Sequence, residues 1–325
     1  MTTPPELPHA EVQVLLPSYN RRDYFRQALD SVLSQTFRDF HVLVIDDASS
    51  DGTADVAREY EQRFPGRVTA LCKRKRRGVA DSVNLGLHLT RDAPYVAFHN
   101  DDDVWSPVKL AAQIDVFRQN PCLGLVATEA EAIDAEGRST GMLFSDVYGK
   151  PDLARPARRI FWEGNCLCAP SVVATRAGLD LVKPYYPPLC GCEDMYLWLV
   201  ISAHMPIAWL DTPLTYWRRA AGQMTVVRER QMWRDTYALR DRLFRDDETV
   251  RSAVGGEAAR RRLDGDALYR AYLYLQQWDL ASYAWFAGQV LKRHSLRLVV
   301  LLALYSARAL ICATSSRLRG TPQTT

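Results

Sequence analysis

The chain has 325 residues, 47% apolar and 24% charged, which is ordinary for a globular protein and allows one large α/β domain with an appendage, or two modest domains. A formal net charge of +3 lacks the strong basic bias of a nucleic-acid binder, so no nucleic-acid partner is expected. Seven cysteines, an odd number, fit a reducing compartment better than a disulfide scaffold.

Met1 to Ala10 holds three prolines and no apolar run, which argues against a secretory signal. These residues read as a disordered N-terminus, and the expected location is cytoplasmic. Val12 to Pro17 is a short β-rich run, and Asp23 to Gln35 has apolar residues at helix spacing. His41 to Ile45 is almost wholly apolar, as a strand covered on both faces of a parallel sheet should be. Asp51-Gly-Thr53 opens the next helix, with Thr53 as the expected N-cap. Strand then alternates with helix: Arg67–Cys72, Val79–Leu89, Tyr95–His99 and Pro107–Gln119. The pattern predicts βαβ units around a mostly parallel central sheet, with ligands gathering beyond the carboxyl ends of its strands. The polar clusters Ser18-Tyr-Asn20, Asp46-Asp47 and Asn100-Asp-Asp-Asp103 all fall at such ends.

From Cys122 to Tyr216 the signal is mixed, with strands at Leu123–Thr128, Leu167–Thr175 and Ile207–Leu210 and a helix at Asp194–Ala203. After Val226 only helix is indicated. The expected division is residues 11–225 as a catalytic domain and 226–325 as a helical region, with Gly255-Gly256 separating two helices.

Acids at strand ends suit phosphate chemistry. A hard cation such as Mg²⁺ or Mn²⁺ takes one or two carboxylates and fills its shell with phosphate oxygens and water. If 100–103 is extended, alternation places Asn100 and Asp102 on one side; the bland alternative is an acidic turn capping the helix at Pro107. Glu193-Asp194 before the apolar run Met195–Ile201 could supply a general base, or simply favourable charge at a helix N-terminus.

The ordered set Val14-Leu-Leu-Pro-Ser-Tyr-Asn20, Ser31–Phe37, Val44-Ile-Asp-Asp47 with Asp51-Gly-Thr53, and Asn100-Asp-Asp-Asp-Val-Trp105 with Pro107 and Lys109-Leu110 resembles the family 2 glycosyltransferases of the GT-A fold, over residues 11 to about 225. The resemblance implies an inverting transfer from a nucleoside-diphosphate sugar to a saccharide or lipid-linked acceptor, with Mn²⁺ or Mg²⁺. Carried over by position, Pro17, Ser18, Tyr19 and Asn20 flank the nucleotide and Asp46, next to Asp47, meets its base. Gly78, Asn100 and Asp101 complete the donor side. Asp102 matches the metal-binding acid, Asp194 the base with Glu193 beside it, and Trp105 falls on the acceptor side. Two departures stand out. Asn100 replaces the first acid of the family's DxD motif, and Ala220 replaces a frequent His, so that Arg218 or Arg219 is the expected source of positive charge near the diphosphate.

Two other classes compete. A nucleotidyltransferase would show a Gly-rich phosphate loop, and Pro17 to Asp23 contains no glycine. An inactive nucleotide-sugar binder is the other. The basic run Lys73–Arg77 reads as a solvated loop at a strand end, with help in holding an anionic donor as the alternative. Cys166-x-Cys168 and Cys190-x-Cys192 are spaced too tightly for an ordinary zinc site and read as free thiols. Leu296–Cys312, broken by Arg297 and Arg308, is too short to span a bilayer; it reads either as a helix packed on the catalytic domain or on a second subunit, or, from its basic flanks, as a helix lying on an anionic membrane face. Tyr269, Tyr272, Leu273 and Trp278 are expected in the core of the tail.

Overall fold

The structure is a computed structural model that describes residues 7–182, 193–219, 229–277, 279–292 and 296–318. The chain divides into two compact units, Met1–Arg228 and Glu229–Thr325.

In the first unit, strands β1 (Val12–Ser18), β2 (Phe40–Asp46), β3 (Val68–Cys72) and β4 (Tyr95–Phe98) alternate with helices α1 (Arg22–Leu33), α2 (Thr53–Arg63) and α3 (Val79–Leu89). Every residue of β2 is buried, as a strand covered on both faces must be. Val14, Leu16, Val42 and Val44 pack with Phe25 and Leu29 of α1 in the main core. Gly86 lets α3 lie close to the sheet, since a Cβ there would meet Leu15 Cδ2 at 3.0 Å and Ile45 Cδ1 at 3.1 Å. Thr53 is not the cap of α2. The N-cap is Gly52, which has no side chain to offer, and Asp51 Oδ1 accepts from both the Thr53 N–H (3.0 Å) and its hydroxyl (2.6 Å).

The remaining elements are β5 (Val104–Trp105), α4 (Lys109–Gln119), β6 (Leu125–Ile133), β7 (Ser139–Leu143), α5 (Phe144–Tyr148), α6 (Pro156–Glu163), a 3₁₀ turn (Ala169–Ser171), β8 (Val173–Thr175), α7 (Arg176–Asp180), α8 (Glu193–His204) and β9 (Ile207–Arg218). The sheet order is β3-β2-β1-β4-β8-β6-β9-β5, with β7 on β6. Pairings among β1, β2, β3 and β4 are parallel, whereas β8 runs antiparallel to both β4 and β6. The parallel half is the one the alternating sequence pattern predicted. Leu167–Thr175, expected as one strand, keeps only its last three residues extended because Pro170 sits in the 3₁₀ turn. Helix α8 buries Met195 through Ser202 without a polar face, as a helix enclosed on all sides must.

The described residues of the second unit are helical: α9 (Glu229–Asp246), α10 (Glu248–Val254), α11 (Gly256–Gln276), α12 (Leu280–Leu291) and α13 (Leu296–Leu318). Asp247 and Asp279 cap α10 and α12 through the N–H groups of Val250 and Ser282. Gly255, at φ 112°, makes the break between α10 and α11. Tyr274 stacks on Phe286 at 5.7 Å, but Tyr269, expected in this core, is exposed, and Trp278 lies outside the described residues. Among the described residues no helix is long and apolar enough to cross a membrane.

Candidate functional site

The loops leaving β1 and β2 interlock. The Ser49 hydroxyl accepts from the Asn20 N–H at 2.9 Å, and Asn20 Oδ1 accepts from the Ser50 N–H at 2.8 Å. Asn20 (φ 51°) and Ala48 (φ 62°) adopt left-handed backbone, a strain that persists where surrounding contacts hold a functional loop in place. Asp46 is buried and its Oδ2 accepts from the Ser49 N–H at 3.0 Å. Its Oδ1 has no hydrogen-bond partner among the described residues. A buried acceptor left open at a strand end is suited to an N–H from a ligand.

Asp47, expected beside it on the donor, faces inward. Its oxygens accept from Lys73 Nζ (3.1 Å) and from the N–H groups of Arg77 (2.9 Å) and Gly78 (2.6 Å). Burial would raise its pKa, but these donors outweigh burial and hold the carboxyl below its usual range. Asp47 therefore anchors the basic loop, with Gly78 at φ 94° turning the chain into α3, and neither of these residues is free to contact a ligand through those groups. Lys73 is also held by Asp81 and Ser82, while Arg74 to Arg77 are exposed. Arg76 lies over the Tyr19 ring at 4.0 Å, which brings a cation to the mouth of the β1 loop.

Residues 100–103 form a turn, not an extended segment, so strand alternation does not apply. Asn100 Nδ2 donates to Asp103 Oδ2 (2.9 Å), and Asp101 Oδ2 accepts from the Ser18 hydroxyl (2.8 Å) and the Tyr19 N–H (3.0 Å). Asn100 is thereby turned toward Asp103 rather than sharing a side with Asp102. The turn does not cap α4, whose N-cap, Val108, accepts no side-chain bond. Burial, followed by the charge of Asp102, pushes the Asp101 carboxyl up to about 7. Burial also raises Asp102, against the opposing pull of Arg21 and Arg218. Of the three carboxylates, only that of Asp102 accepts no hydrogen bond from another described residue, its one donor being its own backbone N–H.

Among the described residues no cluster of three or more His, Cys, Asp or Glu forms a ready cage for a metal. One open, half-buried carboxylate still fits Mg²⁺ or Mn²⁺, which are held by one or two carboxylates together with substrate phosphates.

Arg218 corrects the sequence reading. It is fully buried; its N–H donates to Asp103 Oδ1 (2.7 Å) and its Nε to the Asp102 carbonyl (2.7 Å). Its terminal nitrogens donate to the carbonyls of Asp134 and Ala135 and to Gln27 Oε1, and its guanidinium lies over Tyr24. With its donors so engaged, Arg218 clamps the acidic turn to β9 and α1 instead of reaching a diphosphate. Arg218→Ala is expected to destabilise the fold by about 3–5 kcal/mol, because it strands the carbonyls of Asp102, Asp134 and Ala135 and the amide oxygen of Gln27, while the backbone N–H to Asp103 survives; a urea midpoint measures this. Arg219 is exposed beside Trp217 and Met142, and Ala220 lies outside the described residues.

Asp194 sits in the first turn of α8. Asn165 Nδ2 donates to its Oδ2 (2.7 Å), its Oδ1 accepts from the Met195 N–H (2.7 Å), and burial pushes its carboxyl up to about 6. Glu193 is buried beside it. The buried Cys168 thiol lies within electrostatic reach of both Asp103 and Asp194, which brings the acidic turn and the start of α8 to one region. Cys72, Cys122, Cys166 and Cys168 are free, and Cys190 and Cys192 lie outside the described residues.

Trp105 is the second correction. It is buried, its Nε1 donates to the Pro170 carbonyl at 2.8 Å, and it stacks against His99 with Lys109 Nζ over its ring at 4.0 Å. It supports the floor of the site and offers no surface to an acceptor. The aromatic wall is elsewhere: Phe144, Tyr148 and Trp217 meet at 4.5–6.1 Å, and Phe144 and Trp217 pack with Cys168. Tyr148 is 40% exposed. Neither this wall nor Asn165 was anticipated. Asn165 lies 29 residues from its partner and carries no local pattern; the repeated aromatics of 144–148 were the available signal.

Residues 13–169 match the family model "Glycosyl transferase family 2". The chain is 27% identical over 190 residues to the Escherichia coli UDP-Glc:alpha-D-GlcNAc-diphosphoundecaprenol beta-1,3-glucosyltransferase WfgD, covering 58% of this chain and 69% of that protein. Its fold resembles that of S. aureus TarS 1–349 in complex with UDP-GlcNAc (TM-score 0.68, 17% identity, 97% of this chain and 93% of that one). It also resembles that of the mannosyltransferase PcManGT from Pyrobaculum calidifontis in complex with GDP-Man and Mn²⁺ (TM-score 0.57, 19% identity, 97% and 88%).

Proposed function

Because the chain belongs, through residues 13–169, to the family 2 glycosyltransferases and has the GT-A fold, we propose that it transfers a sugar from a nucleoside-diphosphate sugar to an acceptor hydroxyl with inversion, using Mn²⁺ or Mg²⁺. The observation that carries this reading is the division of labour among the acids. Asp101 and Asp103 are committed to protein donors, Asp102 is open, and Asp194 is a poised carboxylate in the same region.

In the proposed reaction, Asp46 Oδ1 accepts an N–H of the base, and Tyr19 and Arg76 border the nucleotide. Asp102 would hold the cation, which when bound neutralises charge on the diphosphate. Asp194 takes the proton of the acceptor hydroxyl as that oxygen attacks the sugar's C1 and the bond from C1 to the diphosphate oxygen breaks. A single displacement of this kind inverts the anomeric centre. A carboxyl whose pKa lies near 6 is well matched to accept a proton near neutrality, and Asn165 keeps one of its oxygens oriented. Trp217 and Tyr148 offer a face on which an acceptor sugar ring can rest. The diphosphoundecaprenol-linked acceptor of WfgD and the sugar nucleotides bound to the two structural neighbours support this choice of substrates, and with them a role in polysaccharide assembly.

The test is thermal stabilisation by a panel of UDP-, GDP- and dTDP-sugars with Mn²⁺, followed by release of free nucleoside diphosphate. One donor at about a hundred times its Kd should add about 2.7 kcal/mol, a rise of a few degrees in Tm. If no nucleotide-sugar stabilises the protein, the reading fails. Stabilisation without any release would instead identify an inactive binder.

A further inference from the structure

We propose that α13 is a membrane-docking helix that lies flat on an anionic bilayer surface. The helix has two unlike sides. Leu302 and Ala309 are buried in the unit, the Ser306 hydroxyl pairs with that of Tyr283 at 3.0 Å, and Tyr305 meets Tyr272 edge-on. Val300, Ala303, Leu304 and Ala307 recur at three- and four-residue spacing and are all exposed, Val300 by 50% and Leu304 by 60%. Val299 and Leu310 extend this apolar face, and exposed Arg308 follows Leu304 by one turn.

Charge selects the occupant. From Lys292 to Thr325 the sequence contains Lys292, Arg293, Arg297, Arg308, Arg317 and Arg319 and no Asp or Glu. An apolar strip within an exclusively basic segment complements acyl chains below and anionic headgroups around it, with the arginine stem lying along the interface and its head in the headgroup layer. No described helix is suited to span the bilayer, so the contact is interfacial. This inference stands independently of the transferase reading.

The full chain should float with vesicles of equimolar phosphatidylcholine and phosphatidylglycerol, bind phosphatidylcholine alone at least ten-fold more weakly, and lose binding at high salt. The double variant Val300→Asp/Leu304→Asp should lower partitioning at least ten-fold with circular dichroism and Tm unchanged. Should it misfold, Arg308→Ala on the exposed side should still weaken binding about five-fold, the effect expected from one basic side chain near an anionic leaflet. Equal binding to both vesicle types, or undiminished binding by the correctly folded variants, overturns the proposal. So does a wild-type dimer that the double variant converts to monomer without any vesicle binding, which would assign the face to a second copy.

Discussion

Asp194→Asn should lower the transfer rate by about 10²- to 10⁴-fold, the usual contribution of a positioned general base, while donor affinity stays near that of the wild type. The amide is nearly isosteric and its single oxygen can keep the Met195 N–H bond, so the start of α8 should persist although the bond from Asn165 Nδ2 is lost. The electrostatics add a second readout. A carboxyl raised from 3.8 to about 6 holds its proton more tightly in the folded chain than in the unfolded one. Its contribution to stability is therefore complete below pH about 4 and is lost as the pH rises through about 6. At pH 7.5 the wild type carries this buried charge and the variant does not, a gain of up to ~1–3 kcal/mol that the lost Asn165 bond partly offsets. Activity of the wild type should fall as the pH drops through 6. A variant with near-normal turnover, or a rate that is flat from pH 5 to 8, would remove Asp194 from the chemistry.

Asp102→Ala should lower kcat/KM by at least ~10²-fold and abolish the effect of Mn²⁺ on donor binding, since loss even of outer-shell support commonly costs 10- to 100-fold in metal affinity or activity. The neighbouring acids provide the control. Asp103 is tied to Arg218 and Asn100, so its replacement should act first on stability, whereas Asp102, whose carboxylate no other described residue bonds, should act first on metal dependence. Calorimetry of donor binding with and without Mn²⁺ separates the two. Equal metal enhancement in wild type and Asp102→Ala would show that the cation is held elsewhere.

The parallel half of the sheet was legible because a strand buried on both faces leaves an unmistakable apolar run, as β2 does, and because the turns after such runs collect acids, serines and glycines. The strand-end placement of Asp46 and of the acids at 100–103 could therefore be read, whereas Asp194, at the start of α8, was singled out by the family resemblance. Their partners could not be read. Whether Asp46 or Asp47 keeps a free oxygen depends on the loop that Lys73, Arg77 and Gly78 bring in from 26 to 31 residues away. Trp105 was placed on the acceptor side by the resemblance alone, yet β5 pairs with β9 and turns it inward to Pro170. Arg218 was read as a free cation because nothing local predicts acceptors 83 to 191 residues distant. The antiparallel half, with short pairings across β4–β8–β6, lacks the long apolar runs that make strands visible.

The reversal of strand direction at β8 has a consequence for how such an enzyme diversifies. Asp46 and the β1 loop hang from the parallel strands, while Asn165, Asp194, Tyr148 and Trp217 belong to the stretch that follows β6. The acidic turn, stitched to both by Ser18 on one side and Arg218 on the other, must satisfy the two halves at once. Under the proposed roles, a lineage can therefore change what it glycosylates by altering residues after 125 without relearning which activated sugar it accepts.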